Sequence, residues 1–229
     1  MVINMMRKKP LYTEGIFHII SRSISGYKIF NSDADFERFL YSFLYYNSQE
    51  KKVSFSELQR SGSRTRKQII YNYNDPQKAT RRVEIICYCL MPTHIHFILQ
   101  QLVDGGTSKI ISDTLNSYTR YFNIRHKRKG PLWESRFKSV LVETDEQLLH
   151  LTRYIHLNPV TARLIKNPQD WEYSSFKEYT RIDSKIQICK FKHLIDRDKK
   201  GYYKFCIERI NRQRELAKIK KVILENYLG

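Results

Sequence analysis

The sequence predicts an α+β fold: an antiparallel sheet with helices packed on it, close to a ferredoxin-like arrangement, plus a C-terminal helical appendage. Three observations carry this. Residues 83–101 read as apolar strand, Met91-Pro92-Thr93 turn, apolar strand. Residues 33–47 and 107–125 repeat apolar side chains at helical spacing. The elements follow one another as strand, helix, strand, strand, helix, strand, helix.

Residues 16–24 give the first strand, broken by Ser25-Gly26. In the first helix Phe36, Phe39, Leu40, Phe43 and Leu44 form one stripe, and Ser32 or Asp33 can cap it. Residues 50–80 are polar, with Ser61-Gly62-Ser63-Arg64-Thr65-Arg66-Lys67 at their centre, and read as a partly mobile insertion. Asp104-Gly105-Gly106 then breaks the chain, and Thr107 is placed to cap the second helix. A basic turn follows at 126–131, then a strand at 137–143. A third helix, capped by Thr144 or Asp145, is expected to end at Asn158-Pro159. This places a domain over 1–180 and a basic region over 181–229, whose apolar residues recur at helical spacing within 190–221.

The chain has 229 residues, 41 Lys+Arg against 23 Asp+Glu, and a formal net charge of +18. That excess points to a polyanion, and nucleic acid is the commonest. No segment reaches the ~18 apolar residues of a membrane span, and the first residues lack a signal peptide's apolar run. Four cysteines without paired spacing read as reduced thiols in a cytoplasm.

Two patterns carry chemistry. In the hairpin's second strand His94 and His96 lie two apart, so both imidazoles face one way. Two neighbouring imidazoles on a rigid strand make half of a metal site. Taken alone, such a pair is more often two ordinary strand histidines. In the third helix Tyr154 and Asn158 lie four apart, on one face. Alone, this is a core tyrosine followed by a helix stop. Together they suggest a metal held by His94, His96 and the Asn158 amide oxygen, with Tyr154 beside the bound phosphate. A phenol ionises near pH 10, so its attack on phosphorus needs a polarised, aligned phosphate. Tyr118 and Tyr121 are rivals; Tyr118 sits on the apolar stripe of its helix, and neither has an amide four residues on. His150 and His156 are read as lying away from the chemistry, and His18 as a strand-face residue. Arg120, Arg125, Lys127, Arg128, Lys129, Arg136 and Lys138 cluster about the basic turn and are candidate phosphate contacts.

Three motifs then run in one order: Tyr88-Cys89-Leu90-Met91-Pro92-Thr93-His94-Ile95-His96; Gly130-Pro131-Leu132-Trp133-Glu134-Ser135-Arg136-Phe137-Lys138-Ser139; and Arg153-Tyr154-Ile155-His156-Leu157-Asn158-Pro159-Val160. With Trp171-Glu172-Tyr173-Ser174-Ser175-Phe176 they resemble the HUH single-tyrosine transposases of the IS200-like family, in the REP-associated tyrosine transposase branch. The resemblance covers residues 12–179 around the insertion. It implies a Mg²⁺- or Mn²⁺-dependent nuclease and strand transferase acting on single-stranded DNA with hairpins, as a monomer or homodimer. It makes His94 and His96 the metal pair, Tyr154 the nucleophile giving a 5′-phosphotyrosine and a free 3′-hydroxyl, and Asn158 the third ligand. Thr93 stands where many members have Asn, and Thr161-Ala162-Arg163 where the family usually has an Arg-Ala-Gly-like run. Imidazoles favour softer ions than Mg²⁺, so Mn²⁺ suits this donor set best. The other reading is a domesticated DNA-binding protein of the same fold that no longer cuts.

Overall fold

A computed structural model describes residues 10–49, 53–60, 66–75, 80–180, 187–195 and 197–215. Four strands form one antiparallel sheet: β1 (Ile16–Arg22), β2 (Val83–Met91), β3 (His94–Gln101) and β4 (Lys138–Leu141), in the order β2-β3-β1-β4. The helices are α1 (Asp33–Asn47), α2 (Phe55–Arg60), α3 (Arg66–Asn74), α4 (Gly106–Arg125), α5 (Asp145–Thr161), α6 (Phe176–Thr180) and α7 (Lys199–Ile207). The fold is α+β, and the predicted order of strands and main helices holds.

Strand alternation divides the sheet into two faces. Phe17 and Ile19 of β1, Ile85, Tyr88 and Leu90 of β2, and Ile95, Phe97 and Leu99 of β3 face α1 and α4 in the main core. Phe43 stacks on Phe97, with centroids 4.4 Å apart. Cys87, Cys89 and Met91 of β2, with Ile98 of β3, face the other way and pack against Leu148 and Ile155 of α5. A bulge between Ile85 and Cys87 puts Ile86 into that second cluster too.

Several boundaries differ from the sequence reading. The first strand stops at Arg22, and a short 3-10 turn at Ile24–Gly26 follows, in which Ser25 has φ 51°. The insertion contains α2 and α3, whose Phe55, Leu58, Ile69 and Tyr73 join the main core. Its sequence looks polar because these few apolar residues are spread over two short helices. Thr107 does not cap α4; Gly105 does, in the left-handed conformation (φ 64°), while the Thr107 N–H donates to Gln101 Oε1. Helix α5 does not stop at Asn158-Pro159 but continues through Pro159 to Thr161. A proline so near the end removes a single helical N–H donor, which the final turn tolerates. Its N-cap is Thr144, whose hydroxyl accepts from Gln147 N. The strand expected at 137–143 is trimmed to Lys138–Leu141.

The described part of the region after residue 180 packs on the domain. Lys190 N donates to Ile85 O, and the α7 side chain Tyr202 is buried and donates to Thr152 Oγ1 of α5. Before it, Leu90 N donates to Tyr173 O and Ser175 N to Tyr88 O, so this segment covers the outer edge of β2. Leu216, Ile219 and Ile223, which continue the helical spacing of apolar residues in the basic C-terminal region, lie outside the described residues. The four cysteines are unpaired. Among the described residues no helix is long and apolar enough to cross a membrane.

Candidate active site

The face of the sheet under α5 carries the histidines. Period two puts His94 and His96 on it, and their ring centroids lie 5.0 Å apart. Antiparallel pairing of β1 with β3 sets Ile20 opposite His96 and Arg22 opposite His94. His18 therefore shares this face, and its Nε2 lies 3.0 Å from His96 Nδ1. Arg22 is exposed on the same face. Lys138 pairs with Ile20 across β1 and β4, which brings it to the same surface.

Helix α5 lies across this face, and its register delivers Tyr154. The Tyr154 ring stands edge-on to His96, with centroids 6.0 Å apart, and is 41% exposed. It therefore touches His96 yet remains open to an incoming molecule. The Tyr154 carbonyl accepts from Gln213 Nε2, which also donates to Thr161 Oγ1. One turn on, Asn158 is 9% exposed, and its Nδ2 is buried with no partner among the described residues. The strand pair and the helix pair thus meet through the contact of Tyr154 with His96.

Burial makes the imidazoles poor bases. It lowers His18 to about 4. It also lowers His94 to about 4, with Arg22 adding to the effect. His96 is pushed well below its ordinary value by burial, then by His94, His18 and Arg22. All three are neutral at pH 7 and keep lone pairs for a hydrogen bond or an ion. His94 Nδ1 lies 3.0 Å from the Thr93 hydroxyl, so both strand rings have Nδ1 engaged. Neither Nε2 has a hydrogen-bond partner among the described residues.

His94 and His96, with the Asn158 amide oxygen, could hold a divalent cation. Two neutral imidazoles and an amide oxygen would suit an ion of intermediate softness such as Mn²⁺ better than Mg²⁺. Among the described residues no group of three or more His, Cys, Asp or Glu side chains is arranged to hold a metal. A third protein ligand would therefore be neutral, as Asn158 is.

The rival tyrosines lie elsewhere. Tyr118 is buried in the main core and donates to Ile29 O, on the opposite side of the sheet from the histidines. Tyr121 donates to Asp35 Oδ1 and accepts from Arg125. His150 contacts Arg153 and lies near Phe205 of α7, and His156 is buried among Cys87, Ser175 and Tyr202. The basic cluster divides. Arg125 and Arg128 are braced internally, Arg125 near Asp35 and Arg128 on Asn123 Oδ1 and Pro131 O. Arg120, Lys127, Lys129, Arg136 and Lys138 are exposed. Trp133 donates to Thr119 Oγ1 and packs near Phe39 and Tyr118, so its ring belongs to the core rim.

Sequence reasoning missed the joint position of His18 and Arg22. The signal was present: they are four apart in a strand, hence on one face. What was not visible was that β1 would pair with β3 in the register that brings His18 to His96.

Comparison with known proteins places these features in company. Residues 62–158 match the family described as transposase IS200 like. A Haemophilus influenzae protein described as a REP-associated tyrosine transposase is 29% identical over 103 residues, covering 41% of this chain. The chain spans 58% of that curated relative's length. A solved structure of a REP-associated tyrosine transposase bound to a REP hairpin is similar over 84% of this chain and 95% of that one, at 16% identity and a TM-score of 0.48.

Proposed function

We propose that this chain, whose residues 62–158 match the transposase IS200 like family, is a metal-dependent DNA strand transferase and single-strand endonuclease with Tyr154 as its nucleophile. The observation that carries this is the half-exposed Tyr154 ring against His96, one of two neighbouring neutral imidazoles on β3.

In this reading His94, His96 and Asn158 would hold Mg²⁺ or Mn²⁺, which when bound polarises the scissile phosphate. The remaining work belongs to the chain. Helix α5 holds the phenol oxygen for in-line approach. The bond from Tyr154 Oη to phosphorus forms as the phosphorus–O3′ bond breaks. The phenol proton is lost and the departing 3′ oxygen gains one, leaving a 5′-phosphotyrosine and a 3′-hydroxyl. One phosphodiester replaces another, so a 3′-hydroxyl can reverse the step and join strands. Arg22 and Lys138 flank the imidazoles and would meet the phosphate backbone. The net charge of +18 supports a nucleic-acid partner. Single-stranded DNA beside a hairpin is the substrate proposed, because a flexible strand bends to the in-line geometry at less cost than a stacked duplex.

A denaturing gel on hairpin DNA with a single-stranded flank tests this. Wild type with Mn²⁺ gives a covalent protein–DNA adduct. Tyr154→Phe gives none while still binding DNA, and EDTA removes the wild-type adduct. Free cleaved ends without adduct would assign the attack to water. DNA binding with no cleavage at all would favour the domesticated binding protein.

A further inference from the structure

His18 is the imidazole of this face to which the proposed reaction assigns no task. Its ring stacks on that of His96, with centroids 5.2 Å apart and planes 21° from parallel. The two are diagonal neighbours across β1 and β3, held by strand backbone on both sides.

A hydrogen bond between two neutral imidazoles needs one donor and one acceptor. Its direction decides what His96 offers on its far side. When His96 Nδ1 carries the proton, His96 Nε2 keeps its lone pair. When His18 Nε2 donates instead, the His96 proton sits on Nε2 and no lone pair is left for an ion. His94 faces the same choice at its own Nδ1, where the partner is the Thr93 hydroxyl, 3.0 Å away. A hydroxyl can turn to accept, so nothing there forces the unproductive form. At His96 the outcome rests on His18.

We propose that His18 is a positioning residue that accepts the Nδ1 proton of His96, fixing the tautomer whose Nε2 can ligate a divalent cation. This rests on the reading of His94 and His96 as metal ligands. His18 is not itself a ligand, because its Nε2 is already turned to His96. Such outer partners raise a ligand's basicity and hold its ring, and losing one lowers metal affinity roughly 10- to 100-fold.

Two readouts on the full chain test this. In metal-free protein with ¹⁵N-labelled histidine, long-range ¹H–¹⁵N spectra report which nitrogen holds each proton. We expect His96 as Nδ1–H in wild type and a shift toward Nε2–H in His18→Leu. Mn²⁺ titration followed by electron paramagnetic resonance should show His18→Leu binding roughly 10- to 100-fold more weakly. His18→Gln, whose amide oxygen can accept the same proton, should recover most of that affinity. Nε2–H at His96 in wild type overturns the proposal, and that spectrum needs no variant to fold. Unchanged Mn²⁺ affinity in His18→Leu overturns it too. Equal weakening in the Leu and Gln variants would make His18 a ligand rather than a support. Failure of the metal reading looks different: wild type binds no Mn²⁺ even though His96 is Nδ1–H and depends on His18.

Discussion

The two faces of the sheet are made by the same strands and differ in almost every respect. Under α1 and α4, β3 presents Ile95, Phe97 and Leu99, all fully buried in the main core. One residue away along that strand, His94 and His96 face α5 with rings that burial keeps neutral. The first face is filled by aromatic and aliphatic contacts. The second is filled only toward β2, where Cys87, Cys89, Met91 and Ile98 meet Leu148 and Ile155. Toward β4 it opens, and Val140 is 58% exposed there. One face holds the protein together, and the other keeps polar groups part-covered and part-open, as a site needs.

That contrast can be broken one residue at a time. His94→Ala should lower adduct formation at least ~10³-fold, about 4 kcal/mol of barrier at 1.36 kcal/mol per decade, with little change in thermal midpoint. On the same strand but the opposite face, Phe97→Ala should do the reverse: a destabilisation of roughly 3–5 kcal/mol in urea unfolding, with Mn²⁺ affinity kept in whatever fraction remains folded. Should His94→Ala unfold the chain and Phe97→Ala leave it stable, the assignment of the faces is wrong.

His156 sharpens the comparison, because it is a polar group on the closed part of the second face. Its Nδ1 lies 2.8 Å from the Tyr202 hydroxyl and its Nε2 2.8 Å from Ser175 Oγ, so it ties α5 to α7 and to the segment along β2. His156→Ala should cost about 1–3 kcal/mol by leaving buried partners unsatisfied, and Tyr154 should then become less ordered in position. Denaturant midpoints read the first effect. The ¹⁹F linewidth of a fluorotyrosine at 154 reads the second, and a sharp, unchanged resonance would deny the coupling.

Acid should act mainly through the imidazoles. His18 and His94 are held to about 4 and His156 to about 3 by burial. Unfolded imidazoles titrate near 6.5, so from pH 6.5 down to about 4 the unfolded chain takes up protons that the folded chain refuses. Stability therefore falls as pH falls through that window, each group adding a slope of up to about 1.4 kcal/mol per pH unit. Glu178 opposes this: burial raises it to about 7, although the Ile188 and Cys189 amides donate to it. Between about 4.5 and 7 the folded chain keeps a proton there that the unfolded chain releases. One carboxyl against several imidazoles leaves a net loss, and a chain more stable at pH 5 than at pH 7 would contradict the burial of these rings.

The smallest effect expected is at the basic rim. Because Arg128 braces its own loop, the variant to make is Lys127→Ala, Lys129→Ala and Lys138→Ala together. DNA affinity should drop and its salt dependence flatten, by roughly 0.7 in the log–log slope for each single-strand phosphate that is no longer neutralised. Identical slopes would move the DNA path elsewhere.

Much of this was legible in the chain. The apolar runs on either side of the Met91-Pro92-Thr93 turn and the period-3.6 stripe of the first helix specified β2, β3 and α1 nearly to the residue, because the strands are buried on both faces and the helix stripe lies in the main core. His94 with His96 and Tyr154 with Asn158 were legible as pairs because they lie two apart in a strand and four apart in a helix. The meeting of the pairs was not, since no local pattern records which face of the sheet α5 covers. Helices α2 and α3 were missed because short helices gain their stability from tertiary packing. The run of α5 past Pro159 was missed because proline's prohibition weakens in a final turn.

The contact between His18 and His96 joins positions 78 apart, and the chain between them includes α1, α2 and α3. Strands β2 and β3 need only a two-residue turn to find each other, so their histidines can be aligned before β1 arrives. Closing the longer loop is slower, yet its entropic cost grows only by about 0.6 kcal/mol for each doubling of length. Segments can therefore be gained between α1 and β2 at little cost to the finished site. They would delay its assembly instead, and in a refolding chain pulse-labelled with deuterium the β2–β3 amides should gain protection ahead of those that β1 contributes.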